Sequence, residues 1–181
     1  MKSGCPKLLL PMLDGKSILS HAVANALALV PLCVIVVVRP DLPALLESLD
    51  GLPVVSVPNP RYAEGMGTSL AAGVAALPDD AEAALILLGD EPEVSPDIVH
   101  RLVQSYLSNK AAITVPMYGE QAGPPTLFSR ELFADLAALQ GDVGGRRLFA
   151  LYPDKVCRVP FAHDERPKDI DTLEDLAGVL A

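Results

Sequence analysis

The stretch Val34 to Val38 reads VIVVV, five β-branched residues in succession, with Leu32 and Cys33 in front. Side chains alternate between faces along a strand, so an unbroken run of this kind buries both faces. A strand buried on both faces belongs inside a parallel sheet covered by helices. "AALILLGDEP" from Ala83 to Pro92 repeats the pattern, and "LPVVSVPN" and "AAITVPMY" supply further strands.

Between these runs the period changes. Ser17 to Leu29 has apolar residues at Ile18, Ala22, Ala26 and Leu29, which is helical spacing with Ser17 as N-cap. "DLPALLESL" and "GMGTSLAAGVAALP" read as helices, the second opened by glycines and stopped at Pro78. "SPDIVHRLVQSYLSN" carries Ser95 at the N-cap, Pro96 at the first helical position and Asp97 in the first turn. "PPTLFS" reads as a further strand, "RELFADLAALQG" as an amphipathic helix, "GGRRLFALY" as a helix, "KVCRVPF" as a strand and "TLEDLAGVL" as a terminal helix. Strands alternating with helices predict a three-layer α/β sandwich on a mostly parallel sheet, with residues 1–181 as a single domain. In such sheets ligands bind beyond the carboxyl ends of the strands.

Charge and composition exclude several classes. The net charge is −9, and Arg146-Arg147 is the only adjacent basic pair, so a general nucleic-acid surface is not expected. No apolar run approaches the ~18 residues of a membrane span, and Pro6, Lys7 and Pro11 interrupt any signal-peptide core. Cys5, Cys33 and Cys157 form no CxxC or zinc spacing and read as reduced thiols of a cytoplasmic protein. His21 and His100 fall in helix patterns and His163 in a polar loop, which makes neither a triad nor a zinc site.

Several segments carry candidate chemistry. "LILLGDEPEV" places Asp90, Glu91 and Glu93 just after a buried strand, where carboxylates suit Mg²⁺. The alternative is a solvated acidic turn. "PKDIDTLEDL" supplies Asp169 and Asp171, which share one side if extended, although Asp and Thr before a helix are also ordinary capping chemistry. "NPRYAEGMGTSLAAG" sets Gly67, Thr68 and Ser69 at a helix N-terminus, where exposed N–H groups favour an anion or a close-packed base. "GDVGGRRLF" offers Asp142, Arg146 and Arg147 as a grip for a polar anionic ligand, with a solvated loop as the alternative. At the N-terminus, Gly4 and Lys7 in "MKSGCPKLLLP" read either as a tail or as part of a phosphate loop.

Together, "GCPKLLLP", "NPRYAEGMGTSLAAG", "LILLGDEPEV", "GPPTLF", "LQGDVGGRRLF" and "DIDTLEDL" resemble, in order and spacing, the MobA-like nucleotidyltransferases, and most closely the molybdenum cofactor cytidylyltransferase branch. The resemblance implies a Rossmann-like nucleotidyltransferase fold and Mg²⁺-dependent transfer of a nucleotide to a phosphorylated acceptor with release of pyrophosphate. Gly4 and Lys7 match the end of the family's opening L-A-A-G-x-S-x-R-M-G-x-x-K motif. Its strand, its L-A-A-G turn and its Arg have no counterpart here. The expectation is either a start placed downstream of that strand or a sheet with a gap.

The resemblance implies Asp90 and Asp171 as metal ligands, with Lys7 and Asp90 catalytic and Gly4, Lys7, Gly67, Thr68 and Ser69 binding the nucleotide. Gly123, Asp142, Gly144 and Arg146 fall on the acceptor side. Glu91 replaces the Gln of G-D-Q-P, Leu173 the Pro of D-I-D-T-P-x-D, and Pro124 the His of G-H-P. CTP and a molybdopterin-type acceptor are the implied substrates, with a molybdoenzyme or its chaperone as receiving partner. Two alternatives stay open: a catalytically impaired relative that binds nucleotide or cofactor, and transfer to a sugar or polyol phosphate.

Overall fold

A computed structural model describes residues 6–170 and Asp175. Its strands are β1 (Ile35–Val38), β2 (Val55–Pro58), β3 (Ala83–Ile86), β4 (Ile113–Tyr118), β5 (Gln121–Ala122), β6 (Thr126–Ser129) and β7 (Val156–Phe161). Its helices are α1 (Ile18–Ala28), α2 (Pro43–Glu47), α3 (Met66–Ala75), α4 (Pro96–Asn109), α5 (Phe133–Ala137) and α6 (Arg146–Leu151). The chain alternates as its hydrophobic pattern predicts, and the fold is α/β.

The strands form two sheets. β1 pairs with β2 in parallel, Ile35 opposite Val55 and Val38 opposite Pro58. The second sheet runs β3-β6-β4-β5, with β7 parallel to β4. β6 is antiparallel to both β3 and β4, so β3, β4 and β7 point the same way with one reversed strand between them. Among the described residues no strand joins the two sheets.

Side-chain alternation sorts the second sheet's two faces. Leu85, Tyr118, Val159 and Phe161 meet Ile98 and Leu102 of α4. Ile86, Ile113, Phe128 and Val156 face the opposite way, onto Val74 of α3, Leu136 of α5 and Leu148 of α6. α3 also reaches the first sheet. A Cβ on Gly73 would lie 3.1 Å from Val37 Cγ2, so the helix backbone rides close on β1.

The leucines after Lys7 are structural. Leu8 and Leu9 pack against the cluster of Leu19, Val23, Val36 and Val38. Leu8 also joins Leu10, Ile18 and Ile170, and lies beside Gly89. This short 3₁₀ turn, Lys7–Leu9, therefore ties the β1 side of the molecule to the end of the β3 segment.

The caps behave as the sequence predicts. Ser20 N–H donates to Ser17 Oγ at 3.1 Å, and Ile98 N–H to Ser95 Oγ at 3.3 Å. Two boundaries differ. β3 stops at Ile86 because its one strand partner among the described residues is β6, and β6 is preceded by Pro124 and Pro125, which carry no N–H. The helix expected over "RELFADLAALQG" begins as a 3₁₀ turn, Arg130–Leu132, and continues only to Ala137. Of the expected terminal helix only Asp175 is described, in helical conformation; Asp171 and Gly4 lie outside the described residues.

Candidate active site

Three groups of predicted residues come together. The first forms beyond the carboxyl end of β3. Gly89 lies against Leu19 and Leu8, and the chain then turns so that Asp90 faces the N-terminal turn. Lys7 Nζ donates to Asp90 Oδ2 at 2.7 Å, with both side chains about a quarter to a third exposed (25% and 31%). The Asp90 carbonyl accepts from Ile170 N–H at 3.2 Å. That bond fastens the D-I-D-T segment to the G-D-E-P turn, one residue before Asp171.

Glu91, next along the chain, is not the solvated acidic residue its sequence context allows. It is 2% exposed, and its Oε2 has no hydrogen-bond partner among the described residues. Burial, a hydrogen bond with Asp169 and the charges of Asp169 and Asp90 push its carboxyl up to about 9; the Arg166 guanidinium acts in the other direction. A neutral Glu91 carries an O–H donor, which is what an amide would present at this position. Tyr118 lies nearby, and burial together with the Glu91 charge raises its phenol above the ordinary range. Burial at an acidic turn leaves no local signal; sequence alone does not reveal it.

The second group joins two glycine segments far apart in the chain. Gly67 N–H donates to the Gly141 carbonyl at 2.9 Å. A Cβ on Gly67 would approach Val143 O to 2.9 Å, and one on Gly65, at φ +120°, would collide with the Gly141 and Asp142 backbones. Glycine at these positions lets the start of α3 seat directly on the 140–143 loop. Thr68 is buried, and its hydroxyl donates toward the Arg61 and Gly65 carbonyls, each at 2.9 Å. Asn59 Nδ2 donates to Thr68 Oγ1 at 2.9 Å and to Ser69 Oγ at 3.0 Å. Asn59 follows β2 and is itself buried. It was not among the residues singled out from the sequence, although its place just past a strand was a usable signal.

The third group surrounds the β4–β6 connection. Gly123 is packed so tightly on Tyr118 that a Cβ would come within 2.8 Å of the ring, and Tyr118 Oη donates to the Pro124 carbonyl at 2.8 Å. Gly144 lies beside Met66, which links this region to the start of α3, while Asp142 is exposed. Arg146 opens α6 and donates through Nη2 to the Ala122 carbonyl at 3.2 Å. Arg166 Nη1 donates to Gln121 Oε1 at 3.1 Å. Gln121, Ala122, Arg146, Phe149 and Arg166 line a cleft of about 330 Å³.

Asp90 accepts the Lys7 ammonium, and beside it burial, helped by the Asp169 and Asp90 charges, holds the Glu91 carboxyl above its ordinary range. Among the described residues no three His, Cys, Asp or Glu side chains form a ready metal-holding cluster, and Asp171 is outside them. One or two carboxylates completed by phosphate oxygens is the donor set that Mg²⁺ commonly uses. No helix among the described residues is long and apolar enough to cross a membrane.

The sequence model of the MobA-like NTP transferase domain matches residues 1–158. A GlmU protein of Micrococcus luteus is 30% identical over 122 residues, covering 64% of this chain and 24% of the relative. The chain thus spans about a quarter of the length of the curated relatives it matches. The Rv0371c homologue from Mycobacterium sp. strain JC1 superposes with a TM-score of 0.81 at 28% identity, covering 98% of this chain and 87% of that one. Rv0371c of Mycobacterium tuberculosis, solved in complex with manganese, superposes with a TM-score of 0.73 at 27% identity over 98% of this chain and 93% of that one.

Proposed function

The chain belongs to the MobA-like NTP transferase family, and on that premise we propose that it transfers CMP from CTP to a molybdopterin-type acceptor, releasing pyrophosphate. The observation that carries the reading is the contact between Lys7 and Asp90, 83 residues apart, which joins the end of the opening motif to the turn after β3.

The chemistry needs charge control and alignment more than covalent help. The acceptor's own phosphate is already ionised, so no Ser, Cys or His nucleophile is required. Asp90 and Asp171 are the residues that would hold a divalent cation, for which Mg²⁺ is the proposed choice and the manganese complex of Rv0371c a supporting precedent. Such an ion supplies neutralisation of the phosphate charges when bound. Lys7 then exchanges Asp90 for the phosphate oxygens of the nucleotide. Protonated Glu91, beside Asp90 and Asp169, presents an O–H donor where the family carries the amide of Gln. The start of α3, seated on the 140–143 loop, holds the nucleoside side through Gly67, Thr68 and Ser69, with Asn59 fixing the two hydroxyls. Gly123, Asp142, Gly144 and Arg146 belong to the acceptor side. A cytoplasmic setting and a molybdoenzyme or its chaperone as recipient complete the reading.

A second reading keeps this chemistry and takes a sugar or polyol phosphate as acceptor. It is favoured by a neighbour with a TM-score of 0.73 and 16% identity, named a 4-diphosphocytidyl-2C-methyl-D-erythritol synthase, whose fold is shared. The test is pyrophosphate release from CTP, GTP and ATP, each with Mg²⁺, against molybdopterin and a panel of sugar and polyol phosphates. Release with CTP and molybdopterin supports the first reading. Release only with another acceptor moves the assignment to the second, and no release together with no nucleotide binding by calorimetry overturns both.

A further inference from the structure

Arg166 lies in the polar segment between β7 and the D-I-D-T motif, with nothing in its sequence surroundings to single it out. Three observations set it apart in the fold. It lines the same cleft as Arg146, although 20 residues and the whole of β7 separate the two. Among the described residues neither guanidinium is ion-paired; Arg146 donates to the neutral Ala122 carbonyl and Arg166 to the neutral Gln121 amide oxygen. Arg166 also faces inward. Its Nε would lie 4.0 Å from a Cβ on Gly123, and its charge is felt at Glu91 and Tyr118.

Two cations lining one concavity without a carboxylate between them repel each other, and the chain as a whole is acidic, with net charge −9. A dianionic ligand relieves that repulsion. Each guanidinium has five N–H donors in a planar fork that matches phosphate oxygens, and among the described residues each spends one of them on a protein acceptor. Phe149, whose ring also packs beside Phe128, adds an apolar residue to the lining beside the two charges. That combination selects a phosphomonoester whose body presents a flat or apolar surface.

We propose that the cleft of Gln121, Ala122, Arg146, Phe149 and Arg166 binds the acceptor, with Arg166 as the second cation on its phosphate and Phe149 against its body. The assignment rests on the nucleotidyltransferase reading. Arg166 positions the acceptor phosphate on the side of the cleft nearest Glu91, and so toward the Asp90 turn.

The test compares wild type, Arg166→Gln, Arg166→Lys and the control Arg158→Gln, an exposed arginine on β7 outside the cleft. In steady-state pyrophosphate release, Arg166→Gln is expected to raise the acceptor KM at least about tenfold and leave the KM for the nucleotide unchanged. Arg166→Lys restores part of the loss, and Arg158→Gln behaves as wild type. A rise in nucleotide KM with the acceptor KM unmoved would assign the cleft to the nucleotide and overturn the proposal, as would identical constants for Arg166→Gln and wild type. A second arm does not need turnover: calorimetric titration of inorganic phosphate into the full chain with CTP present. Weaker phosphate binding by Arg166→Gln than by wild type supports the cleft even if every tested acceptor fails, a failure that would count against the transferase reading alone. Equal binding by the two, or none by either, overturns the cleft.

Discussion

Lys7 and Asp90 form a 2.7 Å ion pair across 83 residues, and neither side chain is sealed from water. A pair that keeps this much contact with water contributes only modestly to folding. Its value lies in placement: a cation and an anion from two separate motifs share one spot beyond the end of a strand. Lys7→Ala is therefore expected to leave thermal stability within a few degrees of wild type. It should lower turnover by about 10²–10³-fold, the usual effect of removing a charge-stabilising donor. Paired melting curves and pyrophosphate-release rates check this; a large loss of stability with normal turnover per folded molecule would contradict it.

Glu91 predicts how stability depends on pH. Its ordinary carboxyl value of 4.5 is raised in the folded chain to about 9. The folded state thus keeps a proton that the unfolded state releases above pH 4.5. The contribution of this group to stability is complete below that pH and is lost as pH rises toward 9, by up to about 1.4 kcal/mol per pH unit. Glu91→Gln keeps a neutral donor and removes the titration. Urea titrations from pH 5 to 9 should show wild type weakening with pH relative to Glu91→Gln. Parallel curves for the two proteins would contradict the assignment.

Two glycines with positive φ, Gly51 after α2 and Gly65 at the start of α3, separate two causes of strain. Gly51 has φ +78° with open space around its Cβ position, so Gly51→Ala is expected to cost about 1 kcal/mol from the backbone alone. Gly65 has φ +120° and sits on the Gly141–Asp142 backbone. Gly65→Ala adds overpacking to the backbone cost, roughly 1–3 kcal/mol more. Midpoints in urea rank the two; equal losses would mean that the 140–143 loop yields freely.

The layering was legible because it depends on local periodicity. The run from Val34 to Val38 and the capped helix after Ser95 both form where their patterns place them. Strand length was less legible, since β3 ends where its partner runs into Pro125, a property of the pairing rather than of "AALILL" itself. The reversal of β6 between β3 and β4 is likewise set by neighbours far away in the chain.

The site divides in the same way. Asp90 could be found from its position after a buried strand, and Asn59 by the same rule applied to β2. The seating of Gly65 and Gly67 on Gly141 could not, because a glycine pair signals conformational freedom without naming what comes close. Arg166 gave no local signal either; only the third dimension sets it across a cleft from Arg146.

The proposed reading stands on Asp90 serving phosphate chemistry at the turn after β3. Its most direct test is the initial rate of pyrophosphate release from CTP with Mg²⁺ and molybdopterin, for wild type and Asp90→Ala at equal folded concentration. The account predicts acceptor-dependent release by wild type and a rate lower by at least about 100-fold in the variant. Equal rates for the two proteins would contradict it.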